Sequence, residues 1–316
     1  MTARPIRSIA VTGATGFIGG AIVRSLLQRG YQIRVLVRPA SIGKPLPDGV
    51  ERVVGTLRDP SSIERLLHSA DAAIHCAGAV RGAERSTFVE SNATAVELLV
   101  QIATQEKQLD RLLLLSSLAA AHPGVSPYAE SKRSGELALQ RGCGDLAWLA
   151  LRSPAVYGPG DRELLPLFKA ISRGLAPLWG NPNARFSLLF IDDLVDAVEQ
   201  WLASEKPACG IYELHDGRSD GYTMDDVIET VARMTHRRVF RMRVPRLLLD
   251  YVAIANLRLA RLVGYEPMLT PWKLAELRHP RWVCDNGDFS AVSGWEPRTL
   301  LAQGLPLAMA ENPGLE

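Results

Sequence analysis

The sequence predicts an α/β fold: a doubly wound parallel sheet with helices on both faces, followed by a smaller C-terminal region that binds substrate. Three observations carry that expectation. Short apolar runs alternate with helical patterns, a glycine-rich turn directly follows the first run, and the texture of the chain changes after Pro154.

The runs at residues 9–11, 33–37, 72–76, 112–115 and 148–151 are nearly continuous in apolar residues, as strands buried on both faces are. Helical patterns lie between them at residues 18–28, 61–68, 87–104 and 128–139. Open sheets of this kind bind ligands beyond the carboxyl ends of their strands. The loops after Val11, Val37, Cys76 and Leu115 therefore surround one crevice. Past Pro154 the strands thin out and Gly/Pro-rich loops (157–160, 180–182) separate longer helices. Thr223 with Asp226 has the spacing of a capping box that opens a helix over 224–234. The predicted division is 1–154 for dinucleotide binding and 155–316 for mostly substrate binding, with segments such as 211–214 returning to the sheet.

Composition narrows the class of function. A hydrophobic fraction of 47% and a charged fraction of 22% are ordinary for a globular chain, and a net charge of +2 argues for no nucleic-acid partner. Cys76, Cys143, Cys209 and Cys284 are scattered without metal-ligand spacing, which reads as reduced thiols and no metal. The N-terminus has no targeting pattern, so a soluble, cytoplasmic protein is expected. The longest apolar stretch, 247–263, is interrupted by Asp250, Arg258 and Arg261; it predicts no membrane span. Core, lid, subunit contact and membrane-surface association all remain open for it.

The first chemical motif is Thr12-Gly13-Ala14-Thr15-Gly16-Phe17-Ile18-Gly19. A lone glycine triplet is often an ordinary turn. Between a strand and a helix, it lets the backbone approach a pyrophosphate, which the helix N-terminus then holds. After the second strand stands Arg38, with Lys44 further on, where an acidic residue would hold a free ribose hydroxyl. A guanidinium there suits a 2′-phosphate, so NADP(H) is favoured and NAD(H) is the alternative. The third constellation is Tyr128 and Lys132, one helical turn apart and preceded by Ser116-Ser117 at a strand end. A phenol is a poor base near neutral pH, and a neighbouring ammonium favours its phenolate.

With these residues the chain resembles the extended short-chain dehydrogenase/reductases. That group is often labelled the NAD-dependent epimerase/dehydratase family, with dihydroflavonol-reductase-like and 3β-hydroxysteroid-dehydrogenase-like members. The resemblance rests on the Gly13–Gly19 turn, His75-Cys76-Ala77-Gly78, Ser117, Tyr128-Ala129-Glu130-Ser131-Lys132, Arg152-Ser153-Pro154-Ala155-Val156-Tyr157-Gly158-Pro159-Gly160-Asp161, Phe190-Ile191-Asp192-Asp193-Leu194 and Gly294-Trp295-Glu296-Pro297. It implies a Rossmann fold and a homodimer that pairs through the helices beginning near Thr87 and Tyr128. Tyr128 would exchange a proton with the substrate oxygen, Lys132 would bind the nicotinamide ribose and depress the tyrosine pKa, and Ser117 would hold the substrate oxygen. Ala77 and Gly78 would lie under the cofactor, Pro154 and Val156 would line the nicotinamide, and Asn92 is structural. Thr56 replaces the family's acidic residue after the third strand, leaving Leu57 to pack on the adenine.

Two departures bear on the reaction. Leu118-Ala119-Ala120-Ala121 follows Ser117, so the acid/base carboxylates of sugar-nucleotide dehydratases are missing there, and the segment to Tyr128 is short. Ala79, Val80, the alanine run and Trp179 suggest an apolar pocket, hence a lipophilic ketone or alcohol as the small-molecule substrate. His122, Arg81 and Arg85 read as solvated side chains. The expected activity is carbonyl/alcohol redox chemistry. A nucleotide-sugar epimerase and a non-catalytic dinucleotide-sensing regulator are the alternatives.

Overall fold

The computed structural model describes residues 5–310. Its strands are β1 (Ser8–Thr12), β2 (Gln32–Val37), β3 (Glu51–Val54), β4 (Ala72–His75), β5 (Arg111–Ser117), β6 (Ala147–Ser153), β7 (Ala155–Tyr157), β8 (Leu175–Leu178), β9 (Arg185–Phe186), β10 (Leu188–Phe190), β11 (Gly210–Glu213), β12 (Phe240–Arg243) and β13 (Arg281–Trp282). Seven of them form one parallel sheet in the order β3-β2-β1-β4-β5-β6-β11. The order reverses at β1, and the crevice opens beyond the carboxyl ends of β1 and β4. The other six strands pair two by two, as β7 with β10, β8 with β12 and β9 with β13. Among the five runs read from the sequence β3 does not appear. It is a short edge strand in which only Val53 is buried, so it lacks the apolar signature of its neighbours.

The helices are α1 (Phe17–Gln28), α2 (Pro60–Leu67), α3 (Arg85–Val89), α4 (Ala95–Ala103), α5 (Pro127–Gly142), α6 (Leu165–Ser172), α7 (Ile191–Ala203), α8 (Met224–Thr235), α9 (Arg246–Val263), α10 (Pro271–Leu277), α11 (Gly287–Ser293) and α12 (Leu301–Met309). The pattern at 87–104 predicts one helix. A π-turn at Glu90–Thr94 instead separates α3 from α4 and carries Asn92. Such turns redirect a side chain without ending the helix. The Thr223/Asp226 capping box is present, with both reciprocal hydrogen bonds made.

Alternation along each strand divides the core. Ile9 and Val11 face α1, whereas Ala10 faces the side covered by α2 and α4, where Ile63, Leu66 and Leu99 pack. The α1 face is completed from the second half of the chain: Leu194, Val198 and Trp201 of α7, Phe289 of α11 and Trp295 share its cluster. Trp295 is fully buried and donates Nε1–H to the Asp193 carbonyl at 3.1 Å, while the Asp193 carboxylate accepts from Thr299 N at 2.9 Å. The segments 190–194 and 294–297 thus meet and lock α7 onto the sheet.

Candidate active site

The glycine turn bends at Gly13, whose φ of +76° is left-handed. A Cβ there would stand 2.6 Å from Ala77 N, and one on Gly19 would stand 2.3 Å from Gly13 O. The backbones of the first and fourth strand ends therefore touch only because these side chains are absent. Gly16 caps α1 without a side-chain hydrogen bond, and no acidic residue stands in the first turn of the helix. The first amides of α1, from Phe17 and Ile18 onward, are thus left for an anion, and Ala14 and Thr15 form the bend before them. This cradle fits a dinucleotide pyrophosphate. Thr12 Oγ1 hydrogen-bonds His75 Nδ1 at 2.9 Å and accepts from Ala77 N at 3.3 Å, fixing the loop that carries Ala77 and Gly78. Burial, with the Lys132 charge nearby, pushes His75 down to about 3, so the ring is neutral.

Around the crevice, Arg38 directly follows β2, is exposed and, among the described residues, has no carboxylate partner. Leu57 packs partly buried on the α2 side of the sheet. Asp59, two residues on, caps α2 by accepting from Ser61 N. Pro154 follows β6, and Val156 lies in β7 beside Leu189.

Helix α5 carries the remaining chemistry. Ser126 caps it, accepting from Ala129 N at 3.1 Å, and Pro127 occupies its first position. Tyr128, Lys132 and Glu136 then follow at i, i+4 and i+8 along one face. Lys132 Nζ donates to the Leu115 carbonyl at 2.7 Å and lies beside Gly78. Burial lowers its pKa to about 8, against the opposing influence of Glu136. Burial pushes Tyr128 up to about 12; a hydrogen bond with Ser117 works the other way, and the Glu276 charge adds to the rise. The sequence reading had Lys132 depress the tyrosine pKa. Here the ammonium is turned toward Leu115, and Lys132 is not among the groups that shift Tyr128. Ser117 also accepts from Ala119 N at 3.2 Å.

Glu136, which the sequence did not single out, and Asn92, expected to be structural, steady this face. Glu136 is fully buried and accepts from Ser116 Oγ at 2.6 Å, Arg133 Nη1 at 3.0 Å and Arg152 at 2.9 and 2.8 Å. Its position one turn beyond Lys132 was a signal available in the sequence. Asn92 bonds both the N–H and the carbonyl of Ala79 at 2.9 Å and donates to Ser131 Oγ at 3.0 Å, a structural clamp between that loop and α5.

The second half of the chain closes the site. A narrow cleft at Tyr128 is lined by Val80, Phe88, Pro267, Met268 and Trp272 together with the polar Arg81, Thr270, Lys273 and Glu276. Phe88 meets both Tyr128 and Trp272 edge-on, with ring centroids 6.3 Å apart. Of the apolar residues expected around the pocket, Val80 lines the cleft, while its aromatic members are Phe88 and Trp272 and not Trp179. Ala119 and Ala120 are instead buried in the fold. The carboxylate missing after Ser117 also has a counterpart: Glu276 of α10 approaches Tyr128 through space. It is already engaged, accepting from Ser126 Oγ at 2.5 Å and Lys273 Nζ at 2.9 Å. No local pattern links residue 276 to residue 128, which is why the sequence reading missed it. His122 is exposed and stacks with His279 and Trp282, while Arg81 pairs with Glu163 and Arg85 with Glu130.

A glycine cradle at the switch point of a seven-stranded parallel sheet, with a Tyr-x-x-x-Lys helix across the crevice, defines an NAD(P)-binding oxidoreductase of the extended short-chain dehydrogenase/reductase class. The model of the NAD dependent epimerase/dehydratase family matches residues 9–214, and the chain belongs to that family. It is 34% identical to the ceramide reductase of Caulobacter vibrioides over 238 residues, covering 75% of this chain and 73% of that protein. It is 28% identical to the 2-alkyl-3-oxoalkanoate reductase of Stenotrophomonas maltophilia over 224 residues, covering 64% and 66%. Among solved structures, the UDP-glucose 4-epimerase of Thermotoga maritima superposes with a TM-score of 0.75 at 21% identity, covering 96% of this chain and 97% of that one. MoeE5 in complex with UDP-glucose and NAD superposes at 0.74 with 22% identity and the same coverage. These two show the shared fold. The chain is therefore an enzyme, and, among the described residues, no helix is long and apolar enough to cross a membrane.

Proposed function

We propose that this enzyme reduces the carbonyl group of a lipophilic small molecule, with Tyr128 giving the proton. The observation that carries the reading is the Tyr128 phenol, hydrogen-bonded with Ser117 and set in a cleft lined by Val80, Phe88, Pro267, Met268 and Trp272. A protonated phenol suits the reductive direction, in which the carbonyl oxygen gains charge and then a proton. A dinucleotide held by the Gly13–Gly19 cradle would supply the hydride. Tyr128 would donate its Oη proton to the forming alkoxide, Ser117 would orient that oxygen and Lys132 would hold the nicotinamide ribose, and the phenolate would regain its proton from solvent once product leaves. Both curated relatives above are named as reductases, one of ceramide and one of an alkyl-oxoalkanoate, which supports a long-chain ketone as substrate.

Arg38, exposed and without an acidic neighbour in contact, supports NADP(H) over NAD(H). Four free cysteines are compatible with a reducing compartment, the cytoplasmic reading, and pairing of two copies through α4 and α5 completes the proposal. The test is a panel of ketones of rising chain length, with UDP-glucose alongside, assayed with NADPH and NADH. Reduction that strengthens with chain length and prefers NADPH is the expected result. Turnover of UDP-glucose alone would point to the epimerase, and cofactor binding without any turnover to the regulator.

A further inference from the structure

Helix α9 is built inside out. A surface helix normally turns its apolar stripe inward. Here the inward side carries the small residues Ala253 and Ala260, both buried. Polar ties hold that side down: Asp250 accepts from Arg278 at 2.5 Å, and Asn256 Nδ2 donates to the Leu269 carbonyl at 2.7 Å. The outward side carries the large apolar residues, with Leu247 83%, Tyr251 73% and Leu262 85% exposed. Twelve of the twenty-one exposed large apolar side chains among the described residues fall between residues 240 and 268.

The same stretch is strongly basic. Residues 236–266 hold seven arginines against Asp250 and Glu266, in a chain whose total charge is only +2. Among the described residues, Arg237, Arg238, Arg243 and Arg258 have no carboxylate partner, while Asp250 is neutralised by Arg278 and Arg246. Exposed leucines and an exposed tyrosine interleaved with unpaired arginines are the composition of a helix that lies in a lipid headgroup layer. A second copy of the chain fits this face poorly, because a two-fold contact would set its four unpaired arginines against the same four.

The surface is continuous with the cleft. Arg261 of α9 pairs with Glu84 at 2.8 Å, next to the loop that holds Val80 and Gly82, and the turn after α9 delivers Pro267 and Met268 to the wall around Tyr128. We propose that α9 and β12 dock on an anionic lipid bilayer, from which a membrane-dissolved carbonyl substrate enters the Tyr128 cleft beside Met268. The delivery step rests on the reductase reading; the docking step does not.

The full chain, mixed with phosphatidylglycerol/phosphatidylcholine vesicles or with phosphatidylcholine alone, tests the docking by sedimentation. Partition into the anionic pellet should be at least about tenfold greater than into the zwitterionic one and should weaken with salt. Leu247→Ser with Leu262→Ser should cut it by a similar factor, and Arg258→Gln should cut it less. In each variant, reduction of a short water-soluble ketone should stay unchanged and report an intact fold, while reduction of a vesicle-borne long-chain ketone should fall. Absence of anionic-vesicle binding at low salt overturns the proposal. So does a dimer by light scattering that the Leu247/Leu262 variant converts to monomer, since that face would then belong to a second copy. Vesicle binding with no ketone reduced would leave docking intact and count against the reductase reading alone.

Discussion

At the end of β2 one side chain faces the choice between two cofactors. Arg38 is exposed and free of carboxylate contact, so Arg38→Asp should raise the NADPH KM by roughly tenfold or more while leaving NADH little changed. Equal losses for both cofactors would show that the guanidinium does not meet the 2′-phosphate. His75 gives a second residue-scale prediction. It is held at about 3 when folded, so from about pH 6.5 downward the unfolded chain binds a proton that the native chain does not. Stability from this group is therefore complete above about pH 6.5 and falls by about 1.4 kcal/mol per pH unit below it. Urea midpoints at about pH 7 and about pH 5 should diverge for the wild type and converge for His75→Gln. Tyr128, Lys132 and the glycine turn were legible in the sequence because local spacing defines them. The protonation state of Tyr128 was not, because it depends on burial by residues from three other parts of the chain.

Among the elements, α5 carries most of the chemistry, and its buried carboxylate sets its register. Glu136 joins α5 to β5 and β6 through Ser116 and Arg152. Glu136→Ala would leave the largely buried Arg152 guanidinium with Glu213 alone, 3.3 Å away, and should cost roughly 3 kcal/mol of stability. Glu136 also supports the charge of Lys132. The variant should therefore move the alkaline loss of cofactor binding, expected near the Lys132 value of about 8, toward lower pH. A binding–pH profile unchanged from wild type would separate Glu136 from Lys132 function. Most helices and strands of the first half were readable from periodicity. The exceptions have physical reasons: β3 is an exposed edge, and the π-turn at Asn92 alters hydrogen bonding without altering the apolar stripe that periodicity detects.

Across the whole molecule, the second half builds a cluster of its own around Tyr157, Phe168 and Leu305 and also completes one face of the sheet. Leu194, Val198, Trp201 and Trp295 cover the same sheet face as α1, and β11 forms the sheet's edge beside β6. A fragment of residues 1–154 would expose that face, so it should lack a cooperative urea transition, whereas residues 1–310 should show one. A cooperative transition in the short fragment would mean that α7 and Trp295 are dispensable for the first half. This dependence was hardest to foresee, because contacts between Asp193 and residues near 295 span about a hundred positions. The same long-range closure brings Trp272 and Glu276 to Tyr128 and gives the cleft its lipophilic wall.

The central claim, that Tyr128 delivers the proton in carbonyl reduction, is tested most directly by Tyr128→Phe, assayed for turnover and for NADPH binding on the same preparation. Removing the hydroxyl leaves the ring contact with Phe88 available and takes away the proton donor. Turnover should fall by about a hundredfold to ten-thousandfold, with the NADPH Kd within about twofold of wild type. Retention of wild-type turnover by this variant would contradict the account.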